Sequence, residues 1–176
     1  MRDSKGEQAA PRICRIIPWN SERSIEVPHF YTTSAAEATT AINSHGYSLE
    51  GIACWIYDQR PVVVLPPELR GVVELLRLYH PESQAHVYTT DAAKALDLTK
   101  SGWQDEPSAG WVYGQQVPGT VQLLSALRSN PEDYFYTTSV DEHGAAIAGG
   151  YTEDDIPAIW VFSDSTNGVP FYRLVR

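Results

Sequence analysis

The chain has 176 residues, 43% of them apolar and 20% charged, which bounds it to one globular domain with a sizeable core. A formal net charge of −9, from 22 acids against 13 Lys plus Arg with no two of those cations adjacent, excludes nucleic-acid binding through a basic stripe. No stretch approaches the ~20 apolar residues a membrane helix needs, so neither nucleic acid nor membrane insertion is expected.

Taken in chain order, Met1–Pro11 is polar, has no apolar run of the signal-peptide kind, and is expected to be a flexible segment ahead of a domain at 12–176. On that reading the protein is cytoplasmic, unless a leader was removed. A first strand is expected at Arg12–Ile17, followed by an insertion of about five residues within Asn20–Pro28. His29-Phe30-Tyr31-Thr32-Thr33 forms the next strand. Ser34-Ala35-Ala36-Glu37 is a capping box that opens a helix stopped at Gly46. A third strand holds Ala53, Trp55 and Tyr57. Cys14 and Cys54 have no counterparts later in the chain and are expected as packed thiols, not a bridge. The connection Gln59–Gly71, carrying Pro66-Pro67, is longer than its later counterparts and reads as a surface loop.

The order then recurs. Val72–Tyr79 is a strand, His80–Gln84 a turn, and Ala85–Thr89 a second strand. Asp91 caps a helix running to about Lys100 and stopped by Gly102, before a third strand at Ala109–Tyr113. Val121–Leu127 opens a further round, whose Ser139-Val140-Asp141-Glu142 capping box starts a helix weakened by Gly144. Val169–Val175 is one more first strand, with no hairpin or helix after it.

Four landmarks therefore return three times. His29-Phe30-Tyr31-Thr32-Thr33 matches His86-Val87-Tyr88-Thr89-Thr90 and Tyr134-Phe135-Tyr136-Thr137-Thr138. Gly46-Tyr47, Gly102-Trp103 and Gly150-Tyr151 follow, then the acids Glu50, Glu106 and Asp154, then Ala-x-Trp-x-aromatic around Trp55, Trp111 and Trp160. Units of this size bury their apolar faces against each other. The expected fold is mostly β with short helices (α+β), a pseudo-threefold closed ring of strand-strand-helix-strand repeats at about 12–60, 71–115 and 119–163. The strand at 169–175 would close it, in a propeller-like or trefoil-like arrangement that removes exposed edges.

This pattern resembles a three-copy repeat family of unknown function, whose signature is similar to His29–Glu37 followed by Gly46-Tyr47 and Glu50-Gly51-Ile52-Ala53. The family's Leu-Tyr-Arg-Leu-Tyr strand is similar to Leu75–Tyr79 and Phe171–Leu174. The resemblance covers nearly all of 12–176. It implies an accessory binding role, since such modules occur alone or beside secreted hydrolases, and implies no activity. Tyr134 departs from the pattern at the His, Ser125 at the Arg, and Pro107 and Ile156 at the Gly after the acid.

A copied site favours multivalent binding over catalysis. A sugar site needs an aromatic platform with carboxylate or imidazole groups for the hydroxyls. Each unit carries such a kit: His29, Tyr31, Glu50 and Trp55; His86, Tyr88, Glu106 and Trp111; Tyr136, Asp154 and Trp160 beside Tyr134. The expectation is a lectin-like protein for a glycan or glycoconjugate, with two or three related sites and no catalytic residue, cofactor or metal; an oligomer is compatible with this. Packing between repeats is the competing role for the three Trp. Two other classes stay open: a hydrolase using convergent carboxylates or His, and an interaction or inhibitor scaffold working through its loops.

Overall fold

The computed structural model describes residues 28–62 and 71–176. The expected strand Arg12–Ile17, the insertion ahead of Pro28, Cys14 and the Pro66-Pro67 loop lie outside the described residues.

Alternating apolar and β-branched or aromatic residues build ten strands. The first unit has β1 (His29–Thr32), helix α1 (Ala35–His45) and β2 (Ser48–Ile56). The second has β3 (Val72–Tyr79), β4 (His86–Thr89), α2 (Ala92–Lys100) and β5 (Gln104–Tyr113). The third has β6 (Thr120–Ser129), β7 (Glu132–Thr137), α3 (Val140–Ala148), β8 (Thr152–Glu153) and β9 (Ile159–Phe162), and β10 (Val169–Val175) ends the chain. Two boundaries differ from expectation. Strand β5 begins five residues before Ala109, so Glu106 stands on a strand, and in the third unit the matching strand is split in two around Asp154.

The pairing repeats as the elements do. Strand β3 lies antiparallel between β4 and β5. Strand β6 pairs β7 on one side and β8 and β9 on the other. Strand β10 takes the same place between β1 and β2 of the first unit, so Phe171–Leu174 is paired on both sides. The last strands of the three units touch at Trp55↔Phe162, Trp160↔Tyr113 and Tyr57↔Trp111. Among the described residues the fold is thus mostly β with three short helices on ten antiparallel strands. The sheet path runs β1-β10-β2-β9-β5-β3-β4 with β6 branching from β9, and among the described residues it does not close on itself. The junction is tight: a Cβ on Gly110, whose φ is 148°, would stand 2.6 Å from the carbonyl oxygen of Tyr57. A side chain there would meet backbone that cannot yield.

The main core is centred on three tyrosines, Tyr31, Tyr88 and Tyr136, each with no exposed surface. The Tyr88 hydroxyl accepts from the Tyr31 N–H at 2.8 Å and donates to the Tyr31 carbonyl at 2.7 Å. Tyr136 does the same to Tyr88, at 2.9 and 3.0 Å, and Tyr31 to Tyr136, at 2.8 and 3.0 Å. The rings meet edge to face with centroids 5.4–5.6 Å apart, the favoured aromatic geometry. Three phenols buried among apolar residues satisfy each other completely. Burial raises all three hydroxyl pKa values above the ordinary tyrosine range, so none ionises at neutral pH. Cys54 is buried beside this core as a free thiol.

Candidate functional site

The repeated Tyr-Thr-Thr motif is explained by the fold. Its tyrosine enters the hydrogen-bonded cycle. Its first threonine accepts from the backbone N–H of the cap residue: Thr32 from Ser34, Thr89 from Asp91 and Thr137 from Ser139. Its second threonine, in the first and third units, donates to a carbonyl of the following unit, Thr33 to Ala109 and Thr138 to Ala53. The expected ligand role of Tyr31, Tyr88 and Tyr136 therefore gives way to a core role, because a ring with no exposed surface is no platform for a ligand.

The capping boxes form by halves. Ser34 Oγ accepts from the Glu37 N–H and Ser139 Oγ from the Glu142 N–H, as expected. The glutamates do not reach back to the cap N–H groups, which the threonines already hold. Glu37 instead receives the Thr32 hydroxyl and both terminal nitrogens of Arg77, at 2.9 and 3.0 Å. Glu142 takes Thr137 and Arg173 in the same way. Each bidentate pair crosses a seam between one unit's helix and the next unit's strands.

The shared acids complete these seams. Glu106 lies 2.9 Å from Arg77 Nε and 3.4 Å from His86 Nε2. Glu50 lies 3.0 Å from Arg173 Nε and 3.5 Å from His29 Nε2. Asp154 pairs with Lys94 of α2 at 3.1 Å. The three acids thus stand in three different seams, each beside a cation, and do not converge. Burial works to raise the Glu37 and Glu106 pKa values. Hydrogen bonds and charge from Arg77, with Thr32 and His86, outweigh it and hold both carboxyls below the usual carboxylate range.

Trp55, Trp111 and Trp160 are half-buried at the strand junction. Beside them Tyr57, Tyr113 and Phe162 meet edge-on, with centroids 5.1–6.2 Å apart. The structure therefore divides each expected kit: the tyrosine goes to the core, the tryptophan to the junction, and the acid, with its His in the first two units, to a seam.

One seam is open. Between the first and second units lies a cavity of about 540 Å³, lined by Phe30, Tyr47, Tyr79, His86, Glu37 and Glu106 among others. Its other polar groups include Gln84 and Arg176, which hydrogen-bond to each other. The His86 imidazole lies between the rings of Phe30, at 4.8 Å, and Tyr79, at 5.0 Å. His86 is 8% exposed, and its Nδ1 has no hydrogen-bond partner among the described residues. Burial pushes the Tyr47 hydroxyl up to about 12 against the pull of Arg176, so Tyr47 is a neutral donor or acceptor. His86 and Glu106 are the two expected ligand residues that line this cavity. Phe30, Tyr47, Tyr79, Glu37 and Arg176 were not expected there. The signal available for them was divergence between copies, since Tyr79 stands where the other units have Leu127 and Val175.

In the other seams the matching positions are packed. Tyr134 and Trp103 meet edge-on at 5.8 Å, and both are buried. Between the third and first units, Asp133 accepts from His29 Nδ1 at 2.7 Å, from the His29 N–H at 2.7 Å and from the Tyr151 hydroxyl at 2.5 Å. Among the described residues no three His, Cys, Asp or Glu side chains group as metal ligands, and no helix is long and apolar enough to cross a membrane.

No curated protein and no solved structure matches this chain. Residues 28–162 match the model of a domain of unknown function, DUF5648, and the chain belongs to that family.

Proposed function

We propose that the protein is a small carbohydrate-binding module whose principal site is the cavity between the first and second units. The observation that carries this reading is the lining itself. Half-buried Tyr79 offers an aromatic face for a pyranose and the buried rings of Phe30 and Tyr47 complete an apolar wall, while Glu37, Glu106, His86 and Gln84 offer acceptors and donors for its hydroxyls. A cavity of about 540 Å³ falls in the usual size range of small-ligand sites. The expected two or three equivalent sites reduce to this one on the same reasoning, because Asp133, Trp103 and Tyr134 fill the matching space elsewhere.

We also infer that the three units stand about a common pseudo-threefold axis, with β10 completing the first. The cyclic hydrogen bonds of Tyr31, Tyr88 and Tyr136 support this, as do the three matched contacts between last strands. A hydrolase is less well supported. A general acid needs a raised carboxyl pKa, whereas Arg77 holds Glu37 down and His86 with Arg77 holds Glu106 down. Calorimetric titration with a panel of neutral and acidic monosaccharides and disaccharides is the test. Binding that Tyr79→Ala weakens by roughly tenfold or more is expected from the loss of a stacking face. A panel with no binder would sink the reading.

A further inference from the structure

The open seam and its filled counterpart match residue for residue. Phe30 and Phe135 carry Arg77 and Arg173 over their rings, at 5.5 and 5.1 Å. Tyr47 and Tyr151 flank those rings, at 5.8 and 6.2 Å. Glu37 and Glu142 clamp the arginines, and Glu106 and Glu50 face the imidazoles of His86 and His29. Two of the differences bear on the space beside the imidazole. Tyr79 stands for Val175. Pro28 stands for Asp133, both three residues ahead of the unit's core tyrosine. The filled seam thus contains a carboxylate that bridges His29 Nδ1 to the Tyr151 hydroxyl. In the open seam the buried Pro28 stands at that position and brings no carboxylate. The equivalent imidazole nitrogen, His86 Nδ1, is unpartnered but has almost no exposed surface, so a ligand reaches it only with a local shift of the cavity wall that His86 and Tyr47 help to form.

We propose that the cavity takes a ligand carboxylate at the place Asp133 occupies in the neighbouring seam, received by His86 Nδ1 and the Tyr47 hydroxyl. Within the sugar-binding reading, on which the choice of a sugar rests, this names acidic sugars of the uronate class. Two observations answer the objection that Glu37 and Glu106 would repel an anion. The filled seam holds Asp133 alongside Glu142 and Glu50, with Arg173 and His29 as counter-charges. The open seam has the matching groups Glu37, Glu106, Arg77 and His86, with Arg176 beside Tyr47 as Arg128 is beside Tyr151.

Calorimetric titrations of the full chain with glucuronate, glucose and acetate test this, alongside the variants His86→Gln and Pro28→Asp. The glutamine reaches toward Glu106 as Nε2 does but offers no donor at the Nδ1 position. The aspartate supplies the missing carboxylate internally. Glucuronate should bind at least roughly tenfold more tightly than glucose, and both variants should lose at least roughly tenfold in glucuronate affinity. Equal binding of glucose and glucuronate, or a His86→Gln protein that binds glucuronate as well as the parent, would overturn the carboxylate site and leave the sugar reading standing. Acetate competing as strongly as glucuronate would keep the carboxylate site and remove the sugar. No binding of glucuronate or acetate would overturn the carboxylate site outright.

Discussion

The seam between the first and second units and the seam between the second and third join a helix to a strand with opposite charge arrangements. In the first seam α1 contributes an acid, Glu37, and β3 contributes the arginine that binds it. In the second, α2 has Lys94 at the equivalent position, six residues after the core tyrosine, and β6 has Ser125 where the arginine would stand. Lys94 reaches Asp154, the counterpart of Glu106. The cation has moved from strand to helix, and each seam still holds a cation against its acid. Departures that look like decay when one unit is read alone are compensated across the seam. The third unit, with Ser125 and Asp154, therefore keeps its seam paired.

That comparison can be broken by exchanging the two solutions. Lys94→Glu alone should cost about 3–5 kcal/mol, because it removes the partner of the Asp154 side chain, which is 3% exposed, and adds a like charge beside it. Adding Ser125→Arg to that variant rebuilds the arrangement of the first seam and should recover most of the loss. Urea unfolding of the parent, both single variants and the double variant gives the coupling. Additive effects would mean that Ser125 and Lys94 are unrelated departures.

How far the sequence carries such an argument depends on the range of the interaction. Short-range features were legible. The caps at Ser34, Asp91 and Ser139 and the strands Val72–Tyr79 and Val169–Val175 follow from turn chemistry and alternation within ten residues. Alternation also puts Tyr31 and Phe30 on opposite faces. It says nothing of which face meets two other copies of itself, so Tyr31 read as a ligand residue. The Ser-x-x-Glu pattern misled for the same reason: the local partner of Glu37 is a backbone N–H, but the stronger one is Arg77, 40 residues away. In the candidate site, the His86–Glu106 pair was legible because both belong to one unit. Phe30 and Tyr47 were not, because the cavity is built across two.

The filled seam yields a second prediction, which sharpens its contrast with the open one. Burial alone would lower the His29 pKa. The charge and hydrogen bonds of Asp133, and then Glu50, reverse this and raise it from 6.5 to about 9. A histidine raised on folding contributes stability that is complete below its unfolded pKa and is lost as pH climbs through the folded one. Stability should therefore fall by about 3 kcal/mol between pH 6.5 and 9. His29→Gln should flatten that slope. The window closes near pH 9, since above it the Cys54 thiol, which burial pushes up, ionises more readily in the unfolded chain and adds its own loss. An unchanged slope in the variant would place the titrating group elsewhere.

The smallest effect concerns the helices that present the seam glutamates. Helix α3 has Gly144 where α1 has Thr39 and α2 has Leu96. A glycine inside a helix costs about 1 kcal/mol relative to alanine through backbone entropy. A Cβ at Gly144 would meet nothing within 4 Å, so the alanine fits without rearrangement. Gly144→Ala should stabilise the fold by about 1 kcal/mol. Because α3 carries Glu142, which holds Arg173 of β10, a firmer helix should also slow the opening of the C-terminal strand. Hydrogen exchange separates the two effects. Amides of β10 gaining as much protection as those of α3 would show that the helix and the last strand open together through the Glu142–Arg173 pair. Protection confined to α3 would show that the pair holds two elements that open separately.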